Sequence, residues 1–361
     1  MSNSPKPRLV SLSHRKLPLI PFACLWIPCS NRFVCLGTAT GSGAQGNGLI
    51  AVYGTASGEI RDVHTIEKPR AFRCGTFGAS SLQQRYLATG DFDGNLHIWN
   101  LEAPATPFYT TKAHQEIINC IDGVGGLGIG EGAPEIVTGS RDGTVKVWDS
   151  RQKDLPVANM EPAQGGHRRD CWAVAFGHAC NQWDRCVCAG YDNGDIKLFD
   201  LRNMEVRWET NVKSGVCCME FDGKERSLHK LVATTLEGRI HVFNLHAFNA
   251  NNDLVCQSEK PYKFTAWTVR HLPQNRDIFV TSGGAGSLHL WKHGDSPAQL
   301  ERTDHEREGK DCAGPTLLNS ISLSSQPIGS LDWNTDKQGL CISASFDHKV
   351  HIVFVADQQT F

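Results

Sequence analysis

The 361-residue sequence has no surplus of charge of either sign, because 36 Lys and Arg residues stand against 38 Asp and Glu residues. A protein dedicated to nucleic acid needs a basic surface that neutralises phosphates. The balance therefore argues against nucleic-acid binding as the main function. The length predicts either two domains or one large repeat architecture.

A long apolar run is also lacking. The apolar segment 18–28 contains Pro18, Pro21 and Pro28 and is shorter than the about 20 residues that cross a bilayer. It does not resemble a signal peptide. The 14 cysteines include no Cys-x-x-Cys pair, and most of them lie in apolar segments. We therefore expect a soluble cytoplasmic chain with buried free thiols, a reducing environment and no membrane contact.

No catalytic signature is present, neither a G-x-S-x-G nucleophile elbow nor an H-E-x-x-H zinc motif. The segment 123–128 formally matches G-x-G-x-x-G, but a dinucleotide site needs a helix after it. Here the glycines continue to Gly132 and a strand follows, so we interpret the segment as a loop. His289 and His293 are four residues apart, but only His289 lies in a predicted strand, so they are not expected to share a metal. We expect no enzymatic activity, cofactor or metal.

The sequence does contain a repeat of paired strands. In 135–149 an apolar strand is followed by an Asp-Gly turn and an alternating strand that ends at Trp148. Asp-Gly between two such strands is typical of a tight hairpin, because both turn positions take positive φ. The pattern recurs at intervals of about 45 to 60 residues, near the length of a four-stranded propeller blade. The hairpins end near residues 53, 99, 148, 199, 243, 291 and 353.

An inner strand is predicted before each hairpin and an outer strand after it. The predicted inner strands are 22–27, 72–77, 118–122, 171–176, 216–221, 266–271 and 328–333. The last hairpin runs almost to Phe361, so blade seven takes its outer strand from 8–12, and closing the ring removes exposed sheet edges. The sequence thus predicts one all-β domain over 1–361, a seven-bladed β-propeller closed by an N-terminal strand. The mixed-charge segment 293–315 in blade six is predicted to be a flexible surface insertion, with partner docking as the alternative.

The turn-and-tryptophan pattern resembles the WD-repeat signature over nearly the whole chain. By that resemblance, blade three has a complete hydrogen-bonded tetrad that stiffens the blade: His114, Thr138, Asp142 and Trp148. Blade four offers His167, with Phe199 in place of the tryptophan. Blade six has Ala285 in place of the aspartate, so its tetrad is incomplete. These residues are expected to be structural, because buried polar groups usually satisfy one another.

A partner is expected at the face of the ring where loops enter the inner strands. One residue per blade is predicted there, directly after the first apolar residue of the inner strand: Ala23, Arg73, Asn119, Trp172, Cys217, Trp267 and Gly329. Turn residues are predicted to face the same side: Phe92, Arg141, Asp192 and Leu236. Trp and Arg are enriched in interface hot spots, and exposed apolar side chains such as Phe92 and Leu236 are costly unless they are covered. We predict a partner site centred on Trp172 and Trp267; the alternative is that both indoles pack between neighbouring blades.

Several segments that the repeat geometry does not require resemble the Monad family of WD-repeat axonemal dynein assembly factors: 74–86, 122–135, 157–162 and 270–276. The resemblance covers most of the chain and is weakest at the N-terminus and in 293–315. It implies a cytoplasmic adaptor in the pre-assembly of dyneins for motile cilia, with dynein assembly foci as a further location. It also implies a prefoldin-like co-chaperone complex with TPR adaptors and AAA+ ATPases as partner, axonemal dynein chains as clients, and a monomeric chain within larger complexes.

Two other binding functions stay open. The segments 148–151 (W-D-S-R) and 199–202 (F-D-L-R) resemble the W-D-x-R signature of substrate receptors for cullin ubiquitin ligases. The simpler explanation is a local ion pair, worth about 0–1 kcal/mol at a surface. A link to apoptosis has been attached to the Monad family, so an apoptosis-linked adaptor is the other alternative.

Overall fold

The described residues of the computed structural model form seven antiparallel sheets of four strands each. The inner strand of each sheet contacts the inner strands of both neighbours, so the sheets stand as blades around a central channel. No helix in the described part is long and apolar enough to cross a membrane. The structure describes residues 6–41, 46–56, 58–126, 131–152, 155–162, 167–179, 184–224, 227–248, 253–294 and 314–357.

The first four blades follow one another along the chain, each from its inner to its outer strand. Blade one consists of Leu19–Trp26, Arg32–Ala39, Gly48–Ala56 and Glu59–Lys68. Blade two consists of Phe72–Thr76, Leu87–Asp91, Asn95–Trp99 and Tyr109–Lys112. Blade three consists of Ile118–Val124, Glu135–Ser140, Val145–Asp149 and Ala158–Met160. Blade four consists of Cys171–Gly177, Cys186–Tyr191, Asp195–Asp200 and Glu205–Asn211.

Blades five and six continue the pattern, and blade seven joins the two ends of the chain. Blade five consists of Val216–Phe221, Lys230–Thr235, Ile240–Phe248 and Leu254–Glu259. Blade six consists of Ala266–Leu272, Asn275–Gly283, Ser287–Lys292 and Thr316–Ser322. Blade seven consists of Ile328–Trp333, Leu340–Ser345, Lys349–Ala356 and, as its outer strand, Arg8–Lys16.

The N-terminal strand completes blade seven. Its pairing with the third strand runs from Arg8 opposite Ala356 to Lys16 opposite Lys349. The strand continues past the predicted end at residue 12, because it pairs along the whole length of its neighbour. The predicted fold class, an all-β seven-bladed propeller closed by an N-terminal strand, is confirmed.

The core lies between the blades. The second strand of blade four, Cys186–Tyr191, is buried at every position, because neighbouring blades cover both faces of the sheet. The outer strand of the same blade, Glu205–Asn211, is mostly exposed. The outer strand is thus the most exposed of the four strands of blade four, and the inner strands of the seven blades surround the channel.

Three partly buried carboxylates join neighbouring inner strands. Each accepts a hydrogen bond from a backbone N–H of the next blade: Asp122 from Phe176, Glu220 from His271, and Asp332 from Trp26. These bonds tie blade three to four, five to six, and seven to one. The chain thus satisfies backbone donors that its inner strands would otherwise turn toward the channel.

The glycine-rich segment of blade three is a packing feature. Gly123 was expected to open a loop, but the inner strand continues through it to Val124. A Cβ on Gly123 would lie 2.7 Å from the backbone nitrogen of Ala79, and Gly126 donates to the carbonyl of Gly78 at 3.1 Å. The glycines therefore let the backbones of blades two and three touch, while residues 127–130 lie outside the described residues.

Most of the predicted insertion 293–315 lies outside the described residues, which omit 295–313. His293 does not belong to a surface loop, since it is only 4% exposed. Its Nε2 lies 3.1 Å from Nε2 of His271, and its ring packs on Phe279. The residue therefore belongs to the packed core of blade six, where its ring lies 4.6 Å from that of Phe279.

Candidate partner-binding face

Every inner strand has a β-bulge at its entrance. In each blade the pairing with the second strand skips one residue. A bulged residue leaves the ladder, and its side chain is redirected. The skipped residues all line one cavity of about 400 Å³ at the mouth of the channel, and we call them the entrance ring: Phe22, Arg73, Asn119, Trp172, Cys217, Trp267 and Gly329.

In blade one the structure places Phe22 in the entrance ring, whereas the sequence analysis had placed Ala23 there. Pro21 pairs with Gly37 and Ala23 pairs with Leu36, so the skipped residue is Phe22. Ala23 is only 8% exposed and packs in the core. The predicted register was wrong by one residue, because the strand begins upstream of the predicted start at residue 22.

Four aromatic side chains form an arc over blades six, seven, one and two. Trp267 packs edge-on against Phe346 with ring centres 5.9 Å apart. Phe346 meets Phe22 at 6.5 Å, and Phe22 meets Phe92 at 5.6 Å. The guanidinium carbon of Arg73 lies 5.1 Å from the centre of the Phe22 ring, within the range of a cation–π contact. We call Trp267, Phe346, Phe22 and Phe92 the aromatic arc.

Sequence reasoning missed Phe346 as well as Phe22. Phe346 precedes Asp347 in the turn of blade seven, as Phe92 precedes Asp93 in the turn of blade two. The same turn pattern used for Phe92 would have found it. The blade-seven turn has His348 where blades two to six have glycine.

Trp172 and Leu236 lie on the other side of the mouth and pack over Gly215. A Cβ on Gly215 would lie 2.8 Å from the Trp172 indole and 3.0 Å from Leu236. Trp172 of blade four thus packs against blade five, and Trp267 of blade six packs against blade seven. Both indoles pack between neighbouring blades, and both also line the channel mouth. Phe92 and Leu236 are 40% and 39% exposed.

Most polar residues of the predicted site have partners within the chain. The Asn119 amide donates to a backbone carbonyl of blade four at 3.1 Å. Arg141 lies 3.6 Å from both Glu116 and Asp170. Burial, followed by the charge of Asp170, raises the pKa of Asp192, and within the described residues its Oδ1 has no hydrogen-bond partner.

Arg73 has a different environment. Burial lowers the pKa of its guanidinium, and the groups that influence its charge are the thiols Cys74, Cys120 and Cys217. Burial raises the pKa of Cys74 and Cys217 to about 12, so these thiols are neutral near pH 7. Among the described residues, no carboxylate forms an ion pair with Arg73. The guanidinium of Arg73 is therefore a positive charge at the mouth of the channel that has no ion-pair partner among the described residues and lies beside apolar side chains.

The four residues expected to form the tetrad of blade three do meet. The Oγ1 of Thr138 accepts a hydrogen bond from the Trp148 indole at 2.9 Å and lies 2.7 Å from Nε2 of His114. The Nδ1 of His114 lies 3.3 Å from Asp142. All four side chains are buried. The network satisfies itself, which fits a stabilising role and leaves no group free for a ligand.

Blade six keeps part of this network although Ala285 cannot supply a carboxylate. The Trp291 indole donates to Oγ1 of Thr281 at 2.9 Å, and the Tyr262 hydroxyl lies 2.7 Å from the same oxygen. Tyr262 thus takes the place of the histidine. In blade four, His167 is exposed while Phe199 is buried, so these two do not form a tetrad.

His289 and His293 face different neighbours. His289 stacks on Tyr262 at 4.3 Å, and His293 contacts His271. In the part of the chain that the structure describes, no cluster of three or more His, Cys, Asp or Glu side chains could hold a metal ion.

In both segments that resemble W-D-x-R, the arginine folds back on its own aspartate. Arg151 lies 2.7 Å from Asp149, and Arg202 lies 3.0 Å from Asp200. Both arginines also donate a backbone N–H to that aspartate. The motif therefore has a local structural explanation, and ligase recruitment stays a prediction.

Comparison with known proteins identifies the family. A family model of the WD domain, G-beta repeat, matches residues 105–149. The chain is 60% identical to dynein axonemal assembly factor 10 of Xenopus tropicalis, over 97% of each chain. It is 58% identical to the Homo sapiens protein of that name, over 98% of each, and 45% identical to that of Chlamydomonas reinhardtii, over 97% of each. These relatives are named as assembly factors, and the chain has the WD-repeat scaffold. The protein is therefore non-catalytic. The chain belongs to the WD-repeat family of dynein axonemal assembly factor 10.

Proposed function

We propose that this chain is an adaptor that helps axonemal dyneins to assemble, and that it binds a protein partner over the entrance ring. The first part is supported by the name that its full-length relatives share. The second part is supported by one observation, the concentration of partly exposed aromatic side chains and an uncompensated arginine around a single cavity.

The energetics of the face support a binding role. Phe92 and Leu236 keep more than a third of their surface in water, and burial of apolar area is worth about 25 cal/mol per Å². Tryptophan and arginine near the centre of an interface carry a large share of binding energy. A partner that covers Trp172, Trp267 and Arg73 together would therefore gain binding free energy from each of these three side chains.

We further propose a prefoldin-like co-chaperone complex with TPR adaptors and AAA+ ATPases as the direct partner, with axonemal dynein chains as clients. The chain would act in the cytoplasm, including dynein assembly foci, as a single copy within a larger complex. Support for these details comes from the resemblance of segments such as 74–86 and 270–276 to the Monad family.

Affinity purification from ciliating cells tests both parts. The bait is the tagged full chain, compared with Trp172→Ala/Trp267→Ala and with Phe108→Ala. Phe108 is a matched control, because it is an aromatic residue with 66% exposure at the opposite end of the blade-two strands. We expect dynein chains and prefoldin-like subunits with the parent and the control, and their loss with the double variant.

Two results would overturn the proposal. Recovery of neither dynein chains nor prefoldin-like subunits by the parent chain would remove the assembly role. Unchanged recovery by a double variant that melts like the parent would remove the entrance ring as the binding face. Recovery of a cullin adaptor that is lost with Arg151→Ala/Arg202→Ala would support the ligase alternative instead.

A further inference from the structure

Arg73 differs from Arg70, Arg141 and Arg270 in its charge environment. Arg70 pairs with Asp93 at 2.6 Å, and Arg141 lies between two carboxylates. Deeper in the channel, Arg270 lies 3.9 Å from Glu220. These three cations each have a carboxylate partner, whereas Arg73 has none among the residues that the structure describes.

Arg73 is partly buried and lines the cavity at the mouth of the channel. The bulge turns the side chain into the mouth, where it rests on the face of Phe22. A cation that is partly removed from water without a counter-charge is costly. An arriving carboxylate removes that cost, and the planar guanidinium can bind both of its oxygens.

Apolar groups lie on both sides of this cation. The aromatic arc covers blades six, seven, one and two, and Trp172 with Leu236 covers the far side. A carboxylate at the end of a chain has residues on one side of it only. An acidic side chain within a segment has residues on both sides, so it can place apolar groups on both surfaces at once.

The far side of the mouth also carries the opposite charge. Asp192 belongs to the blade-four turn, next to Asp170, and its backbone carbonyl faces Gly215 beneath Trp172. An acid in the partner would be repelled there and attracted to Arg73. Arg169 offsets part of this negative charge, but Asp170 and Asp192 together outnumber it, so the charge pattern favours the acid at Arg73.

We propose that the entrance ring binds an internal Asp or Glu side chain of a protein partner, held by Arg73 and flanked on both sides by bulky apolar residues. This rests on the proposed function only in that a protein binds at this face. The flanking residues cover the aromatic arc on one side and Trp172 on the other.

Peptide selection on the purified full chain tests the proposal. The probe is a library of random nine-residue peptides whose C-termini are fused to the carrier, with a second library that has free C-termini. We expect the fused library to yield a central Asp or Glu with apolar residues before and after it. Arg73→Gln should weaken the selected peptide about ten- to a hundredfold, as the loss of a charged hydrogen bond does. Arg73→Glu should select Lys or Arg at the same place.

Arg61→Glu is the control, because it makes the same charge change at an exposed residue that already has an acidic partner, on the outer strand of blade one and away from the channel mouth. It should leave the selected pattern unchanged. Thermal melts establish that each variant is folded, and Arg73→Gln carries the test if Arg73→Glu does not fold.

Three outcomes would overturn the proposal: no peptide selected at all, no central acid in the selected peptides, or an acid selected equally by Arg73→Gln. Enrichment only in the library with free C-termini would reassign the site to a terminal carboxylate and overturn it too. None of these outcomes depends on cellular partners, so they are distinguishable from a failure of the purification that tests the assembly role.

Discussion

The carboxylate of Asp332 accepts a hydrogen bond at 2.7 Å from the backbone N–H of Trp26, across the joint between the last blade and the first. Burial raises the pKa of this carboxyl to about 7, although the nearby Arg270 acts in the opposite direction. The ring is therefore closed by a group whose ionisation is unfavourable in the folded state, and this joint should respond to pH.

Replacing Asp332 with Asn should remove that response. An Asp whose folded pKa lies above its unfolded value, about 4, contributes stability at low pH and loses it as pH rises through the folded pKa. The loss accrues between about pH 4 and pH 7. Asn keeps an acceptor for the Trp26 N–H and does not ionise. We expect the stability of Asp332→Asn relative to the parent to rise by about 2 kcal/mol from pH 5 to pH 8, measured by urea unfolding.

Asp277→Asn is the control, because Asp277 is exposed. Its unfolding free energy should follow the parent at every pH. A constant difference between Asp332→Asn and the parent over this range would contradict the prediction.

Deleting residues 1–16 should destabilise the whole ring. The deletion removes the outer strand of blade seven, the buried Leu9 and the hydrogen bond at 3.0 Å from its N–H to Asn319. It also exposes the edge of Lys349–Ala356, a surface on which strands of other chains can pair. We expect a melting temperature lower by roughly 10 °C or more and increased aggregation, followed by calorimetry and light scattering.

Deletion of residues 1–5 alone should leave the melting temperature unchanged, since it spares the strand. If the longer deletion melts like the parent, the N-terminal strand does not hold the ring closed.

The blade count could be predicted from sequence because each blade repeats the same hairpin chemistry. An Asp-Gly turn and a strand-ending aromatic such as Trp148 are local features, and their spacing fixes the number of sheets. The closing strand also followed from the sequence, because blade seven lacked a fourth strand and a ring needs one.

The site could be predicted only in part. Phe22 was missed because a bulge depends on which residues pair across two strands, and the apolar pattern of one strand does not contain that information. The sequence could not predict that Arg73 has no ion-pair partner among the described residues, because this depends on where other blades place their carboxylates.

Replacing Thr138 with Val should remove the acceptor at the centre of the blade-three tetrad. Valine has nearly the same shape, so the main change is that the Trp148 indole N–H and the His114 ring lose their buried partner. We expect a loss of about 1–3 kcal/mol in the free energy of unfolding. Thr65→Val is the control, because Thr65 is exposed on the outer strand of blade one. Equal unfolding free energies for the two variants would contradict the role of the tetrad.

Replacing Gly123 with Ala should separate packing from ligand binding as the reason for the glycine-rich segment. The new methyl group would lie 2.7 Å from the Ala79 nitrogen, so the backbones of blades two and three must move apart. Forcing extra volume into a packed contact costs about 1–3 kcal/mol. The control is Gly223→Ala, since Gly223 has open space where its Cβ would be and should lose little or gain a few tenths of a kcal/mol. Urea unfolding of both variants measures the difference, and a Gly123→Ala protein as stable as Gly223→Ala would leave the glycine at this contact without a packing explanation.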